Sequence, residues 1–311
     1  MGALLTDAFV SSLIAGMIAA GTPLLLAGLG EQISEKAGVL NIGIEGMMLV
    51  GAYVGFVAAY YAGSVWLGLI AGGLAGAALS LIMIVLCVRL GLNQIVIGIA
   101  MTLGVEGMTA MAHHVQFSRS YPRLPAVEVW ALPGLADIPV IGPALFARHP
   151  MVYLAFLLVA FMAWLYRRTH VGLNLQAAGD RPAALDVAGV GVVATRSWAV
   201  LSTGFLAGLG GAYMCVVVAG LFVPFMTGGA GFIGIVLAML SRGKPYWVLI
   251  GAMLFGISLS MTTAIQVAGI QLPTEIVQML PFVMVIVVLV AFARHSYLPA
   301  ALGRPYVRGE R

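Results

Sequence analysis

Charged side chains are scarce in this 311-residue sequence. Asp, Glu, Lys and Arg together make up 8% of it and hydrophobic residues 62%, whereas soluble domains usually contain about 25% charged residues. The length would allow about two soluble domains, but no polar stretch is long enough to fold alone in water. The composition therefore predicts an integral membrane protein that forms one membrane domain over residues 1–311.

Motifs for nucleotide hydrolysis or proteolysis are missing. The stretch SRGKPYW at 241–247 lacks the upstream glycine of a phosphate-binding loop and has Pro245 where Ser or Thr is needed. The sequence has no HExxH pair and no GxSxG turn. The neighbours His113 and His114 would point about 100° apart on a helix, so we interpret them as interfacial residues. We predict no catalytic residue, no metal site and no cofactor, and the chain is not expected to be an enzyme.

Cysteines and clustered basic residues are rare as well. Cys87 and Cys215 lie inside apolar runs without a CxxC pattern, which indicates packing residues. The formal net charge is +4, but the basic residues stand at the ends of apolar runs and form no patch with interleaved aromatics. The charge therefore predicts membrane topology and no nucleic-acid partner.

Long apolar runs fill most of the chain, and a helix needs about 20 such residues to cross a bilayer. The sequence predicts an all-α, polytopic transmembrane bundle of about nine spans, with a range of eight to ten. The seventh run is short and opens with TGGAGFIG, so we predict a broken or re-entrant helix there. The predicted spans are 9–29, 42–62, 65–88, 94–112, 150–166, 197–220, 228–240, 247–267 and 275–293.

Basic residues concentrate on the cytoplasmic side of membrane proteins. With the C-terminus inside, the only basic residues outside are Arg119, Arg123 and Arg148, all in the loop 113–149. We therefore predict an external N-terminus, a cytoplasmic loop at 167–196 and a cytoplasmic tail at 294–311. Within that inner loop, RPAALDVAGV is typical of a short helix with Asp180 as N-cap, Pro182 in its first turn and an end near Gly189. Such a helix suits the docking of another protein.

Glycines at four-residue spacing occur in three predicted spans: Gly68, Gly72 and Gly76; Gly51 and Gly55; Gly204 and Gly208. This spacing lets helices approach closely in lipid, and we favour packing within the chain over a homodimer. Carboxylates in apolar runs are few: Glu45, Glu106 and Glu275. Because intramembrane carboxylates can bind or relay ions, an ion-coupled secondary transporter that uses Glu45 and Glu106 stays open as an alternative function.

Several ordered blocks resemble one family. The stretch GEQISEKAGVLNIGIEGMMLVGAYVG is similar to the N-terminal signature of permease subunits of ATP-binding-cassette importers for branched-chain amino acids, ribose and nucleosides, most of all the nucleoside permeases. Its E-x-x-G-x-x-N-I-G-x-E-G run falls on Glu35, Gly38, Asn41, Ile42, Gly43, Glu45 and Gly46. The blocks FMTGGAGFIGIVLAMLSRGKP, LPTEIVQMLPFVMVIVVLV and PAALGRPY match in the same order, so the resemblance covers nearly the whole chain.

The resemblance implies a type II importer-like permease fold in a bacterial inner membrane. It also implies an ATPase subunit, a second and longer permease, and a substrate-binding lipoprotein or periplasmic protein as partners, besides membrane lipid. The segment GDRPAALDVAGV resembles the family's coupling loop, with Arg181 in place of Asn and Leu185 in place of Ala. The implied coupling residues are Gly179, Asp180, Arg181, Pro182, Ala184, Ala188 and Gly189.

Residues for the substrate pathway are less clear from the sequence. Asn41, Asn93 and Gln94 stand at span ends, where we favour helix capping over lining an exit. Thr227 opens the short seventh run, and Phe222, Phe225 and Phe232 around it could stack on a nucleobase, although we favour apolar packing. For Glu45 we favour a structural role near the cytoplasmic start of the second span, within reach of interfacial water or of its own helix's first turn, over contact with the substrate.

Overall fold

A computed structural model describes residues 7–131, 133, 134, 136–138, 141–267, 279, 283, 286, 287, 290 and 298–307. Most of the ninth predicted span, 275–293, lies outside the described residues, as does Glu275. The described helices are α1 Asp7–Lys36, α2 Ile44–Ala62, α3 Val65–Met83, α4 Gln94–Phe117, α5 Ile141–Phe146, α6 Pro150–Arg168, α7 His170–Asp180, α8 Pro182–Val187, α9 Val192–Ala212, α10 Ala230–Leu240 and α11 Pro245–Val267.

Two features complete the secondary structure. Helices α3 and α9 continue as π-helical turns, Ile84–Arg89 and Tyr213–Ala219. In the loop before α6, strands β1 Trp130–Ala131 and β2 Ala147–Arg148 form a short antiparallel pair. The expected all-α bundle is therefore largely confirmed, with this pair as a small addition in the long loop.

Six helical segments of the described chain are long and apolar enough to cross a membrane: Phe9–Lys36, Ile44–Ala62, Val65–Arg89, Gln94–Phe117, Pro150–Arg168 and Val192–Ala219. The first runs through Lys36, whereas the sequence predicted an end at residue 29. The polar stretch after Leu29 stays helical because the bundle buries and bonds it: Ser34 Oγ lies 2.8 Å from Thr203 Oγ1 of α9, and Glu31 is fully buried.

Helix α1 lies at the centre of the bundle, between α9, α10 and α11. Helix α11 runs antiparallel beside it, with Val248 next to Gly28 and Ala252 next to Gly21. Both contacts are close because the glycines have no side chain: a Cβ on Gly28 would lie 2.8 Å from the Val248 side chain.

The spaced glycines bring α2, α3 and α9 together. A Cβ on Gly68 would lie 2.7 Å from the carbonyl oxygen of Gly55, and one on Gly204 would lie 2.6 Å from that of Gly76. Real side chains are not found this close to backbone atoms, so these positions require glycine. The expectation of packing within the chain is confirmed.

Candidate functional site

Helix α10 begins inside the bundle, where the Glu45 side chain meets its first turn. Glu45 Oε1 accepts the Gly229 N–H at 2.9 Å, and Oε2 accepts the Gly231 N–H at 2.6 Å. The first N–H groups of a helix have no partner within the helix, and the helix dipole favours a negative charge beside them. Glu45, which is only 2% exposed, therefore caps a helix distant from it in sequence.

Glycines make this cap possible. Gly228 and Gly229 have φ angles of 52° and 90°, in the left-handed region that side chains disfavour. A Cβ on Gly231 would lie 2.6 Å from the Cα atom of Glu45. The run TGGAG thus lets the chain turn into α10 and lets α10 touch the start of α2. We call residues 227–231 together with Glu45 the helix break.

The helix break lies deep along α1. Gly234, near the start of α10, packs against Ala27 of α1. Ala27 lies nine residues before Lys36, the end of α1, which corresponds to about 14 Å along the helix axis at 1.5 Å per residue. The other end of α10 reaches only Gln32, whose Nε2 donates to Ser241 Oγ. The expected bond of Glu45 to its own helix's first turn is wrong, because its carboxylate accepts N–H groups at the start of α10 instead.

A folded-back segment carries the chain to this depth. After α1, residues 37–43 turn inward, and Asn41 donates its backbone N–H to Glu31 Oε1 at 2.9 Å while Leu40 donates to Gln94 Oε1 at 2.8 Å. Asn93 caps α4 by accepting the Ile95 and Val96 N–H groups. Of the three amides, Asn93 therefore has the capping role favoured from the sequence, and Gln94 instead ties α4 to the folded-back segment.

Two polar side-chain atoms beside the start of α2 have no hydrogen-bond partner among the described residues, although the Asn41 amide nitrogen donates to Met47 Sδ at 3.3 Å. They are Asn41 Oδ1 and Thr102 Oγ1. Asn41 is completely buried and Thr102 is 4% exposed. Thr102 lies beside Gly46, the residue that follows Glu45, since a Cβ on Gly46 would lie 3.1 Å from the Thr102 Cα atom. Both groups remain available to a water or a ligand hydroxyl.

The candidate aromatic residues fall into two environments. Phe222 is fully buried in an aromatic cluster, with its ring 5.1 Å from that of Tyr53 and 5.6 Å from that of His113. Phe225 and Phe232 are 55% and 42% exposed, on either side of the helix break. Thr227 is buried, and its carbonyl accepts the Ala230 N–H at 2.9 Å. The exposed rings near the helix break are therefore Phe225 and Phe232.

The two carboxylates of the ion-coupled alternative differ in their surroundings. Both Glu45 oxygens accept backbone N–H groups of the helix break. Glu106, on α4, is partly exposed, and the described part of the chain shows no hydrogen bond between the two. The structure therefore does not join them into a pair.

The predicted coupling segment forms helices α7 and α8. Asp180 is the last residue of α7, so Arg181 takes the cap position of α8 and the expected Asp180 cap is wrong. Pro182 stands in the first turn and Gly189, with φ of 83°, follows the end, as predicted. Leu185 is buried against Ala178 and Val192. The exposed positions of α8 and of the turn after it are Ala183, Ala184, Val187, Ala188 and Gly189.

Arg196 fastens this region to the bundle. Its guanidinium donates to the carbonyl oxygens of Ala37 at 3.0 Å, Ala178 at 3.2 Å and Arg304 at 2.7 Å. Arg196 is 3% exposed. We call the end of α1, α7, α8 and residues 298–307 the Arg196 layer, because this one side chain bonds three of its segments.

Backbone bonds complete the Arg196 layer. The Ala301 N–H donates to the Gly179 carbonyl at 2.9 Å, and the Gly303 N–H donates to that of Gly38 at 3.0 Å. Gly179 itself touches the Lys36 carbonyl so closely that a side chain would not fit. Sequence reasoning treated Arg196 as a topology marker and missed this role, for which an arginine at the start of an apolar helix was the only signal.

Sequence reasoning also missed a buried acidic pair on α1. Glu31 is completely buried and Glu35 is 5% exposed, and the Oε2 atoms of both lack a hydrogen-bond partner among the described residues. Lys36 lies 4.8 Å above the ring of Tyr166 beside them. The spacing of four residues, which places both carboxylates on one helix face, was the available signal.

Taken together, the six long apolar helices, the short helix α10 and the exposed short helix α8 fit a polytopic helical membrane protein. Residues 13–289 match the family described as "Branched-chain amino acid transport system / permease component". The chain therefore belongs to this family of permease components.

Individual relatives agree with this membership. The putative glucose ABC transporter permease protein TsgC13 of Haloferax volcanii is 39% identical over 80% of this chain and 76% of its own length. The nucleoside ABC transporter permease protein NupC of Lactococcus lactis subsp. cremoris is 31% identical over 96% and 97%. The guanosine ABC transporter permease protein NupQ of Bacillus subtilis is 29% identical over 97% and 98%. The resemblance to nucleoside permeases is confirmed.

Proposed function

We propose that this chain is the membrane subunit of an ATP-driven importer for nucleosides, nucleobases or a related small polar solute. The observation that carries the proposal is α8, a short helix that exposes a face of small residues while the Arg196 layer holds it firmly to the spans. The nucleoside assignment rests on NupC and NupQ, which this chain matches over almost their full lengths.

The ATPase docks on α8 and moves it, and the membrane helices follow. The residues in this role are Gly179, Asp180, Arg181, Pro182, Ala184, Ala188 and Gly189. Gly179 allows the close contact with the end of α1, and Ala184, Ala188 and Gly189 lie on the exposed side. Because Arg196 ties α7 to α1 and to residues 298–307, a displacement of α8 reaches several spans at once. This coupling would drive alternating access.

The importer contains a second permease and a substrate-binding lipoprotein or periplasmic protein. Support for the second permease comes from two kinds of relative in the same organisms. The region similar to this chain spans almost the full length of NupC and NupQ. It spans only 79% of the length of NupB and 79% of that of NupP. This chain therefore takes the part of the shorter subunit.

The N-terminus lies outside and the Arg196 layer lies in the cytoplasm. The fold supports this orientation, because Lys36, Arg196 and Arg304 gather at the end of the bundle that carries α8. Arg148, in contrast, belongs to the loop between α4 and α6. A basic end is the cytoplasmic end by the usual asymmetry.

The test uses the complete transporter, expressed with its ATPase, second permease and binding protein, and measures uptake of radiolabelled nucleosides. Replacing residues 180–186 with a glycine-serine linker should abolish uptake while the protein still inserts. Normal uptake by that variant would refute the coupling assignment. A second assay places the chain alone in liposomes under a proton or sodium gradient. Flux without an ATPase would favour the ion-coupled alternative.

A further inference from the structure

The anion-binding end of α10 is already occupied by a side chain. Helix N-termini bind anions through their free N–H groups and dipole, and discontinuous helices in transporters present such ends to anionic groups of substrates. Here both Glu45 oxygens act as acceptors, as in a carboxylate, since a protonated carboxyl would present a donor. A solute anion would have to displace this carboxylate.

Among the described residues, no basic side chain bonds Glu45. Helices α2, α4 and α10 contain no Lys or Arg, and the only basic residue of α1, which packs against α10, is Lys36 at its last position. A helix N-terminus contributes about half a positive elementary charge, which is less than the full negative charge of a carboxylate. The field around the helix break is therefore negative.

A second observation concerns the uncharged polar atoms near this carboxylate. Asn41 Oδ1 and Thr102 Oγ1 are buried without partners near the start of α2. On the other side, Gly228 is exposed and has open space around it. An uncharged hydroxyl or amide can bond such groups without adding charge, whereas a phosphate or carboxylate would face Glu45.

We propose that Glu45 is a specificity-determining residue that excludes anionic solutes. By filling the N-terminus of α10 it makes the helix break repel phosphate esters and carboxylates and admit uncharged or cationic polar solutes. The inference rests on the proposed function and adds that the solute passes the helix break, where Gly228 and the rings of Phe225 and Phe232 are exposed.

The test measures local charge directly and needs no knowledge of the transported solute. In the complete transporter, Phe232→Cys provides a thiol one residue beyond Gly231, and the native Cys87 and Cys215 are buried. The thiol is treated with the cationic reagent 2-(trimethylammonium)ethyl methanethiosulfonate and the anionic reagent 2-sulfonatoethyl methanethiosulfonate. Across water, a unit charge about 8 Å away changes the two rates in opposite directions by about two- to threefold each.

We expect the ratio of the cationic to the anionic reaction rate to be higher for this thiol than for a small free thiol. Adding Glu45→Gln should lower this ratio about fivefold or more. The matched control is Glu106→Gln, which removes a carboxylate from α4 and should leave the ratio unchanged. An equal ratio with and without Glu45→Gln overturns the proposal, and so does a thiol that reacts with neither reagent in any nucleotide state.

Two further readouts keep the test decisive. If Glu45→Gln fails to insert, the ratio in the Phe232→Cys protein alone is compared with that of the free thiol at low and high salt. A preference that shrinks with salt supports the proposal, and no preference overturns it. A charge-dependent ratio in a transporter that imports no nucleoside supports the role of Glu45 and counts against the nucleoside assignment.

Discussion

At the helix break, one carboxylate binds two N–H groups at the start of a helix. In the Arg196 layer, one guanidinium binds three carbonyl oxygens from three segments. Both arrangements satisfy backbone groups that helices and turns leave unpaired. They differ in what they leave open, because the helix break leaves Gly228 exposed and the Arg196 layer leaves the outer face of α8 exposed.

This difference separates two requirements of a transporter. Irregular backbone at membrane depth is tolerated only where it is buried in protein or lines a cavity. A coupling surface needs a rigid attachment, so that force on one helix reaches the others. The following substitutions test whether the stability of each region depends on its charged residue and on its close backbone contacts.

Substitution of Arg196 should have the largest effect. Arg196→Met keeps part of the apolar stem but leaves three carbonyls without their donor, which should lower the free energy of unfolding by about 3–5 kcal/mol. Arg196→Lys should rescue little, since one ammonium cannot reach three separated carbonyls as a planar guanidinium does. Thermal unfolding of the purified protein and proteolysis of residues 167–196 measure the effect.

The matched control for this change is Arg242→Met, at an exposed arginine in the turn after α10. It should leave the melting temperature unchanged. Equal melting temperatures for Arg196→Met and the native protein would show that the three bonds contribute no net stability to the Arg196 layer.

A side chain at Gly231 should disrupt the helix break. The Cβ of Gly231→Ala would lie 2.6 Å from the Cα atom of Glu45, and because this neighbour is backbone, α10 has to move away from α2. We expect a loss of about 2–3 kcal/mol in the free energy of unfolding. Gly107→Ala on α4, which meets open space, is the control and should stabilise the helix by up to about 1 kcal/mol. Equal stability of the two variants would contradict close packing at the helix break.

Much of this fold could be predicted from the sequence, because long apolar runs have few alternatives to membrane helices. The short seventh run and the helix after Arg181 were predicted for the same kind of local reason, a glycine-rich start in one and a proline in the first turn of the other. The glycine contacts among α2, α3 and α9 followed from their spacing.

The partners of the charged residues could not be predicted. Glu45 binds Gly229, 184 positions away in sequence, and a carboxylate at the start of an apolar run fits its own first turn equally well. Glu31 and Glu35 ended the predicted first span because polar residues ordinarily mark the membrane boundary. Their burial depends on residues 37–43 folding back, which no local pattern indicates.

The two faces of α8 should respond differently to substitution. Leu185→Ala removes the buried anchor of α8 and should weaken its attachment by about 2 kcal/mol. Val187→Asp changes a side chain that is 90% exposed and should alter stability by less than about 0.5 kcal/mol, yet abolish nucleoside uptake by interfering with the docked ATPase. Hydrogen exchange of α8 and uptake by the complete transporter separate the effects. Full uptake by Val187→Asp would argue against docking on this face.

The smallest effect is expected at the start of α6, where an imidazole rather than a carboxylate or guanidinium bonds the end of the helix. His149 Nδ1 accepts the Met151 N–H at 3.2 Å and caps α6, and burial lowers the pKa of His149. The unfolded chain, with a pKa of about 6.5, therefore binds the proton more readily. The contribution of this cap is complete above about pH 6.5 and is lost as the pH falls through the folded-state pKa.

His149→Asn keeps an acceptor at the cap but removes the titration. It should make the stability of the start of α6 independent of pH, a difference of about 1 kcal/mol or less at low pH. Amide exchange of Met151 and Val152 at pH 5 and pH 7.5 measures it, with His170→Asn on the exposed start of α7 as the control. If the Met151 and Val152 amides lose protection from exchange equally in the native protein and in His149→Asn at pH 5, a group other than His149 causes the loss. The titration of His149 would then not distinguish the start of α6 from the helix break and the Arg196 layer.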